Sequence, residues 1–260
     1  MKYLSDFILV NKKLTSAGDA MLRLECSDRN TGLKALAEAE PGQFVNVQVL
    51  QSHSTFLRRP ISICDVDVEN GILTLYVKDA GAATHALCEA KDGDVFNILL
   101  PLGNGFSLEC CGEKPLLVAG GVGIAPMLLL AKRMRAMGIT PTILIGAISK
   151  DRLILTDELS AHGNLFVSTD DGSMGEKGFV TQNTVLEKDW TNIYCCGPLP
   201  MMKGIAKIAG ERHIDCHVSL ENVMACGLGA CLCCVEDTAD KGNVCVCKEG
   251  PVFNINQLKW

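Results

Sequence analysis

The segment in the middle of the chain from Leu116 to Met127 (LLVAGGVGIAPM) indicates the architecture most clearly. A buried strand of four apolar residues is followed by a glycine-rich turn and then by Pro126, which favours the first turn of a helix. Glycines before a helix let a phosphate approach the backbone, so Gly120, Gly121 and Gly123 are candidate phosphate contacts. The turn lacks the last glycine of G-x-G-x-x-G, and a plain tight turn between strand and helix would also suit these residues.

The alternation of strands and helices continues from about residue 104 to residue 214. The predicted strands after the first are Thr142–Ala147, Leu165–Thr169 and Asn192–Cys196, and the predicted main helices are Pro126–Met137 and Pro198–Ala209. Strands that alternate with helices indicate a doubly wound parallel sheet, which is an α/β fold.

The residues on either side of this region follow other patterns. Phe44–Val49 and Ile72–Val77 alternate apolar and polar residues between turn signals, which predicts a small antiparallel β-barrel over residues 1–103. Residues 215–260 are rich in Cys and Gly and are too few to bury a core without help, so a metal site is expected there. The sequence therefore predicts three domains, 1–103, 104–214 and 215–260.

Composition excludes several classes of protein. The net charge of −6 and the absence of a Lys/Arg cluster argue against a nucleic-acid-binding protein. The longest uncharged run, Pro115 to Ala131, is interrupted by glycines and by Pro126, so we expect no membrane insertion. Charged residues interrupt the N-terminus early, so we expect no secretory signal. Fourteen cysteines without such a signal indicate a reducing compartment, and we expect a cytoplasmic protein.

Six of the fourteen cysteines lie between residues 226 and 247. Cys226, Cys231 and Cys234 have the C-x₄-C-x₂-C spacing of plant-type [2Fe–2S] proteins, which use one further, distant cysteine. Gly227 and Gly229 allow the loop to curve tightly around a cluster. A four-cysteine zinc site is the alternative, although zinc sites more often use paired C-x₂-C spacings.

The fourth ligand is Cys245 or Cys247, and spacing does not distinguish them. Because alternate residues of a strand point to the same side, a strand would place both cysteines on one face. Cys233 lies inside the C-x₂-C gap and is the expected spare thiol.

Taken in chain order, these motifs resemble the electron-transfer subunits of class B dihydroorotate dehydrogenases, within the wider ferredoxin-reductase flavoprotein group. The resemblance covers nearly the whole chain. The first four motifs are shared across the flavoprotein group, and the last two are specific to this kind of subunit. The motifs are Arg58 to Ile63 (RRPISI), Pro101 to Phe106 (PLGNGF), Gly120 to Met127 (GGVGIAPM), Cys196 to Pro198 (CGP), Leu220-Glu221 with Met224 to Gly227 (MACG), and Cys247 to Phe253 (CKEGPVF).

The resemblance implies an FAD site on the predicted barrel. Arg59 would hold the FAD phosphates and Ser62 would lie near the reactive flavin nitrogen, with Pro60 and Ile61 between them. Without the resemblance, this motif would be a surface arginine beside an edge-strand proline. Two further positions, Gly81 and Thr84, match the family's second phosphate-binding turn, in which Ala83 replaces a usual glycine.

The resemblance also implies an NAD site at the carboxyl edge of the predicted sheet. Gly120, Gly121 and Gly123 would form part of it, together with the Cys196-Gly197-Pro198 turn. Asp170 or Asp171 would bind a ribose hydroxyl and repel a 2′-phosphate, which favours NAD over NADP, although a solvated turn would also explain these acids. Because neighbours on a strand point in opposite directions, one of Cys195 and Cys196 is expected to be buried and the other to lie at the mouth of the site.

The implied function is electron transfer. A [2Fe–2S] cluster moves single electrons and NAD⁺ accepts a hydride, so a flavin between them is chemically required. The resemblance implies that an FMN-containing catalytic subunit oxidises dihydroorotate, that the two subunits form a heterotetramer, and that Cys247 is the fourth cluster ligand. The alternatives are a subunit of a related ferredoxin:NAD(P)⁺ or sulfide oxidoreductase and, outside the enzymes, a zinc-stapled binding module.

Overall fold

The computed structural model describes residues 1–49, 55–109 and 111–260. Contacts divide the described chain into two compact units. Unit one comprises Met1–Gly105, Asn222–Glu236 and Val244–Pro251, and unit two comprises Phe106–Glu221, Asp237–Asn243 and Val252–Trp260. The predicted three-domain division stays a prediction.

Unit one is built on a closed antiparallel barrel, as predicted. Its six strands follow the order β1-β2-β5-β4-β3-β6 around the barrel. Along β1, alternate side chains such as Ser5, Phe7 and Leu9 are buried, which is the pattern of a strand with one face on a core. The elements are β1 (Tyr3–Leu14), β2 (Ala20–Cys26), α1 (Arg29–Ala37), β3 (Phe44–Val47), β4 (Arg59–Asp67), β5 (Ile72–Val77), α2 (Ala82–Cys88) and β6 (Val95–Leu102).

Unit two contains the predicted doubly wound sheet. Its seven strands have the order β10-β9-β8-β7-β11-β12-β15, and all neighbours are parallel except β12 and β15. The elements are β7 (Pro115–Gly120), α3 (Ala125–Ala136), β8 (Thr142–Ala147), α4 (Thr156–Ser160), β9 (Asn164–Thr169), β10 (Glu176–Lys177), β11 (Asn192–Cys196), α5 (Leu199–Glu211), β12 (Asp215–Ser219) and β15 (Val252–Asn254).

The strand order places the predicted nucleotide motifs at one point of this sheet. Strands β8 and β9 extend from one side of β7, and β11 and β12 extend from the other side. The connections therefore change direction between β7 and β11, and ligands of such sheets bind in the crevice at that switch point. Both the glycine turn after β7 and the Cys196-Gly197-Pro198 turn after β11 lie there.

The core of unit two lies on this central pair of strands and on α3. Every residue of β7 and β11 is buried, and eight of the twelve residues of α3 are buried. Among the described residues, no helix combines the length and the apolar character that crossing a membrane requires.

The cysteine-rich segment adds a short hairpin and one helical turn. The hairpin pairs β13 (Val235–Thr238) with β14 (Gly242–Cys245), and α6 (Val246–Glu249) follows without a break. Because β14 ends at Cys245 and Cys247 lies in α6, the expectation that both cysteines share one strand face is wrong. The helical turn gives the two thiols different surroundings.

Candidate cofactor sites

Backbone N–H groups of the cysteine-rich segment point at three of the predicted ligand sulfurs. The N–H of Leu228 lies 3.3 Å from Cys226 Sγ, and the N–H of Gly229 lies 3.1 Å from Cys247 Sγ. The N–H of Cys247 itself donates to Cys234 Sγ at 3.4 Å. Such N–H donors stabilise negative charge on sulfur, as an iron–sulfur site requires.

Two glycines make this loop conformation possible. Gly227 and Gly229 have φ of +69° and +81°, which a residue with a Cβ rarely adopts. A Cβ at Gly227 would also lie 2.7 Å from Asn46 Nδ2, and one at Gly229 would lie 3.1 Å from the Lys248 side chain. Conformation therefore favours glycine at both positions, and the close contact with Asn46 adds to this at Gly227.

The loop favours ionisation of the first cysteine. Hydrogen bonds, first that from the Leu228 N–H and then those from Cys231 and Ala230, lower the pKa of Cys226 to about 6. Burial and the neighbouring Cys234 raise the pKa of Cys247 to about 12. Cys226 is therefore the cysteine of this segment that most readily binds a cation as a thiolate.

Burial distinguishes the two candidates for the fourth ligand. The Cys247 side chain is 1% exposed and accepts the Gly229 N–H, whereas Cys245 is half-buried and its Sγ lies 3.7 Å from the Gly229 carbonyl oxygen. Cys233 is exposed. The environment of a bound sulfur is thus present at Cys247.

The fit to an iron–sulfur cluster rests on the donor chemistry. Cys226, Cys231, Cys234 and Cys247 supply thiols, and backbone N–H groups donate to three of the four sulfurs. Within residues 1–49, 55–109 and 111–260, no group of three or more His, Cys, Asp or Glu side chains is arranged to hold a metal ion.

The two arginines of the flavin motif have different roles. Arg58 donates to Asn97 Oδ1 at 2.5 Å and to the carbonyls of Asn97 and Asn46 at 2.7 and 3.3 Å, so it ties β3 to β6. Arg59 donates only to the nearby carbonyls of Leu57 and Arg58 and forms no ion pair in the described part of the chain. The Arg59 charge is therefore available for an anionic ligand. No local pattern in the sequence pointed to the structural role of Arg58.

The rest of the flavin motif lies on β4, beside β3. Pro60 faces Asn46, Ile61 faces Val45 and Ser62 faces Phe44 in the strand pairing. All three motif residues are half-buried, so part of each side chain remains accessible.

The turn at Gly81 is held by its own hydrogen bonds. Thr84 Oγ1 accepts the Ala80 N–H at 2.9 Å and donates to the Gly81 carbonyl at 3.0 Å, while His85 Nδ1 lies 2.8 Å from Asp79 Oδ2. A Cβ at Gly81 would meet no atom within 4 Å, so the space beside this glycine is open. Thr84 therefore shapes the turn, and Gly81 faces open space.

The three glycines after β7 divide into two roles. A Cβ at Gly123 would lie 2.3 Å from the Cys196 carbonyl oxygen, and one at Gly120 would lie 2.7 Å from Met201 Sδ. These two glycines allow close packing against the turn that follows β11. Gly121 has φ of +56° and would meet no atom within 4 Å, so it faces open space.

The Cys196-Gly197-Pro198 turn lies directly against the glycine turn. A Cβ at Gly197 would lie 3.0 Å from the Gly120 nitrogen. The expectation that either Cys195 or Cys196 lies at the mouth of the site is wrong, since the two side chains are 0% and 2% exposed. Strand β11 is central in its sheet and covered on both faces, and burial raises the pKa of both thiols.

The two predicted ribose-binding acids differ in what they contact. Asp171 Oδ1 accepts the Ser173 N–H at 2.9 Å and its hydroxyl at 2.6 Å, and these hydrogen bonds lower the pKa of Asp171. Asp170 is exposed, and no described group donates to its carboxylate. Asp171 therefore closes the turn, and Asp170 remains free to contact a ligand.

Comparisons with known proteins find an iron–sulfur domain and an NAD-binding domain in this chain. Residues 221–259 match the model of the iron-sulfur cluster binding domain of dihydroorotate dehydrogenase B, and residues 117–207 match that of the oxidoreductase NAD-binding domain. The chain is 38% identical over 228 residues to the electron transfer subunit of dihydroorotate dehydrogenase B (NAD(+)) of Bacillus cereus strain B4264, covering 84% of this chain and 86% of that one. The subunit of Bacillus caldolyticus is likewise 38% identical over 229 residues, with the same shares covered.

Solved structures extend the comparison to the fold. A chain from the NADH-dependent reduced ferredoxin-NADP oxidoreductase structure has a TM-score of 0.85 at 31% identity, over 98% of this chain and 90% of that chain. The flavohem-like FAD/NAD binding domain of nitric oxide dioxygenase from Vibrio cholerae O1 biovar El Tor has a TM-score of 0.69 at 21% identity, over 82% of this chain and 97% of that domain. The second likeness concerns the fold alone.

Proposed function

Because this chain belongs to the family of the electron transfer subunits of dihydroorotate dehydrogenase B (NAD(+)), we propose that it passes electrons from a [2Fe–2S] cluster through FAD to NAD⁺. The observation that carries the proposal is the set of backbone N–H groups aimed at the sulfurs of Cys226, Cys234 and Cys247. When bound, the cluster supplies single-electron transfer, and the flavin supplies exchange between single electrons and a hydride.

In this proposal Cys226, Cys231, Cys234 and Cys247 hold the cluster. The loop residues position the sulfurs and stabilise their negative charge through N–H groups of Leu228, Gly229 and Cys247. Burial of Cys234 and Cys247 excludes water from one side of the site.

The barrel binds FAD through two groups of residues in unit one. Arg59 pairs with the FAD phosphates, since its guanidinium has no acidic partner in the described chain, and Pro60, Ile61 and Ser62 line the flavin. The Gly81 turn, shaped by Thr84, has open space that accommodates a further phosphate.

The sheet of unit two binds NAD at its switch point. Gly121 presents open backbone to the phosphates, while Gly120 and Gly123 hold the turn against the Cys196-Gly197-Pro198 corner. Asp170 binds a ribose hydroxyl and disfavours a 2′-phosphate, and Asp171 keeps the turn in shape.

The relatives are named electron transfer subunits, so they work with a catalytic partner. We propose that the partner of this chain is an FMN-containing dihydroorotate dehydrogenase subunit and that the two form a heterotetramer. Large apolar side chains are exposed on the cysteine-bearing segment, with Val223 79% and Leu232 66% exposed and with Leu228 and Val235 nearby in sequence. An exposed apolar group of this kind suits a protein interface.

We also place the protein in the cytoplasm. All thirteen described cysteines are free, and free thiols on this scale suit a reducing compartment.

The test is a spectrum with chemical analysis of the anaerobically purified chain. We expect FAD, iron and acid-labile sulfide, a yellow-brown colour, and reduction of a dye by NADH without oxidation of dihydroorotate. A colourless chain that contains zinc and no sulfide would refute the proposal.

The similarity to the reduced ferredoxin-NADP oxidoreductase chain favours a second candidate, a subunit of a ferredoxin:NAD(P)⁺ oxidoreductase. Affinity purification of the native complex separates the two candidates. A partner that contains FMN and oxidises dihydroorotate supports the first, and a ferredoxin-reducing partner supports the second.

A further inference from the structure

One asparagine connects the flavin strand pair to the cysteine loop. Asn46 lies on β3 opposite Pro60, in the middle of the flavin motif, and its side chain is 1% exposed. Its Nδ2 donates to the carbonyl oxygen of Cys226 at 3.1 Å. The contact lies wholly within unit one and joins residues 180 positions apart in the chain.

The burial of this amide calls for an explanation. Among the described residues no group donates to Asn46 Oδ1, although this oxygen is buried. A buried polar atom without a partner is costly, and an apolar side chain of the same size would avoid that cost. The hydrogen bond from Nδ2 to the cysteine loop is therefore the observed contribution of this side chain.

The peptide that Asn46 holds is next to an N–H group aimed at a ligand sulfur. Fixing the Cys226 carbonyl fixes the peptide that joins Cys226 to Gly227, and the following N–H, that of Leu228, donates to Cys226 Sγ at 3.3 Å. Gly227 packs against the same amide, since a Cβ there would lie 2.7 Å from Asn46 Nδ2. Asn46 thereby controls both the position and the orientation of the loop at its first cysteine.

A second amide holds the other cysteine-bearing segment in the same way. Asn104 Nδ2 donates to the carbonyls of Lys248 and Glu249 at 3.2 and 3.0 Å, directly after Cys247. Its backbone N–H donates to the Gly250 carbonyl at 2.6 Å. Both ends of the ligand set are thus tied to the barrel by asparagine side chains.

We infer that Asn46 is a positioning residue that tunes the reduction potential of the cluster by holding the Cys226 peptide against the flavin strand pair. The inference rests on the proposed function. Reduction adds an electron to the cluster, and N–H donors to sulfur stabilise the added negative charge. Loss of the Asn46 amide releases the Cys226 peptide, weakens the Leu228 N–H···Sγ bond and lowers the potential.

The test compares Asn46→Leu with the parent chain by a redox titration followed by electron paramagnetic resonance. Leucine has nearly the same volume and lacks the donor. We expect unchanged FAD content, a more negative midpoint potential, and a fraction of reduced cluster about fivefold lower at the parent's midpoint, as expected for one weakened hydrogen bond. If Asn46→Leu does not retain FAD, Asn46→Ala, which also lacks the donor and adds no charge, provides the measurement.

Asn70→Ala is the matched control. Asn70 is an exposed barrel residue whose amide bonds only Asp67, so its loss leaves the midpoint potential unchanged. A midpoint potential in the Asn46 variants equal to that of the parent, with equal retention of iron, would overturn the inference. A parent chain without sulfide would instead refute the proposed function itself, so the two failures are distinguishable.

Discussion

At the scale of single residues, identical side chains differ because of their surroundings. Cys226 has its pKa lowered by loop N–H groups, while burial raises the pKa of Cys247. The same contrast separates Arg58, which ties two strands together, from Arg59, which keeps its charge available. Sequence spacing indicated which cysteines and arginines to consider for the sites but contained no information about these contacts.

The pair Cys247 and Cys245 gives a matched prediction. Serine at 247 removes a buried sulfur that accepts an N–H, so Cys247→Ser loses most of its iron, sulfide and visible absorption. Serine at 245 replaces a half-buried thiol that contacts the Gly229 carbonyl, so Cys245→Ser keeps them. Iron and sulfide analysis of both variants decides, and the reverse pattern would assign the fourth ligand to Cys245.

The two aspartates of the nucleotide turn give a second matched prediction. Asp170→Ser removes the exposed carboxylate, so the preference for NADH over NADPH, measured as the ratio of kcat/KM in dye reduction, falls about tenfold. Asp171→Asn weakens the turn that Ser173 completes and leaves that ratio nearly unchanged. If the preference for NADH over NADPH is unchanged in Asp170→Ser, Asp170 does not contact the nucleotide.

At the scale of elements, the sequence predicted strands well where burial is uniform or strictly alternating. Ile72–Val77, Thr142–Ala147 and Asn192–Cys196 have their predicted bounds. The predicted strand from Phe44 ends at Val47 rather than at Val49. The two-residue β10 and the β13–β14 hairpin escaped prediction, because short polar strands carry little hydrophobic signal.

Contacts between distant elements explain the remaining failures. The burial of Cys196 depends on the strands on both sides of β11, and the position of Cys247 depends on a helical turn that begins directly after a strand. The contact from Asn46 to Cys226 spans most of the chain and has no local signature. A single sequence does not contain this information in any local pattern.

A polar network at one edge of the sheet gives a prediction that depends on pH. Asp215 on β12 accepts hydrogen bonds from Asn254 on β15, from Asn192 on β11 and from His217. Burial alone would raise the pKa of Asp215, but His217 and these amides together hold it below its ordinary value of 3.8. A lowered pKa means that the ionised carboxylate stabilises the fold above pH 3.8 and that this contribution is lost as pH falls through the lowered value.

We therefore expect Asp215→Asn to reduce the free energy of unfolding at pH 7 by about 0.5–1 kcal/mol, because solvent screens this partly exposed carboxylate. The difference from the parent chain shrinks as the pH is lowered below 4, because the parent then loses the same charge. Urea denaturation of both chains across this range measures the effect. A difference that stays constant with pH would show that the carboxylate charge contributes nothing.

At the scale of the whole molecule, the two units of the chain contain the motifs for different cofactors. Unit one contains the cysteine segment and the flavin motifs, and unit two contains the glycine turn and the acids of the nucleotide edge. The chain needs no catalytic acid, base or nucleophile of its own, because the proposed reactions take place on the cofactors. Its residues bind the cofactors, orient them and adjust their potentials.

The most direct test of this account is an anaerobic titration of the purified chain with NADH, followed by visible absorption and electron paramagnetic resonance. The account predicts about two iron ions and two sulfides per chain, bleaching of the flavin by NADH, and then the signal of a reduced [2Fe–2S] cluster. The proposed electron transfer would be contradicted if NADH bleached the flavin but left the cluster oxidised, although dithionite could reduce that same cluster.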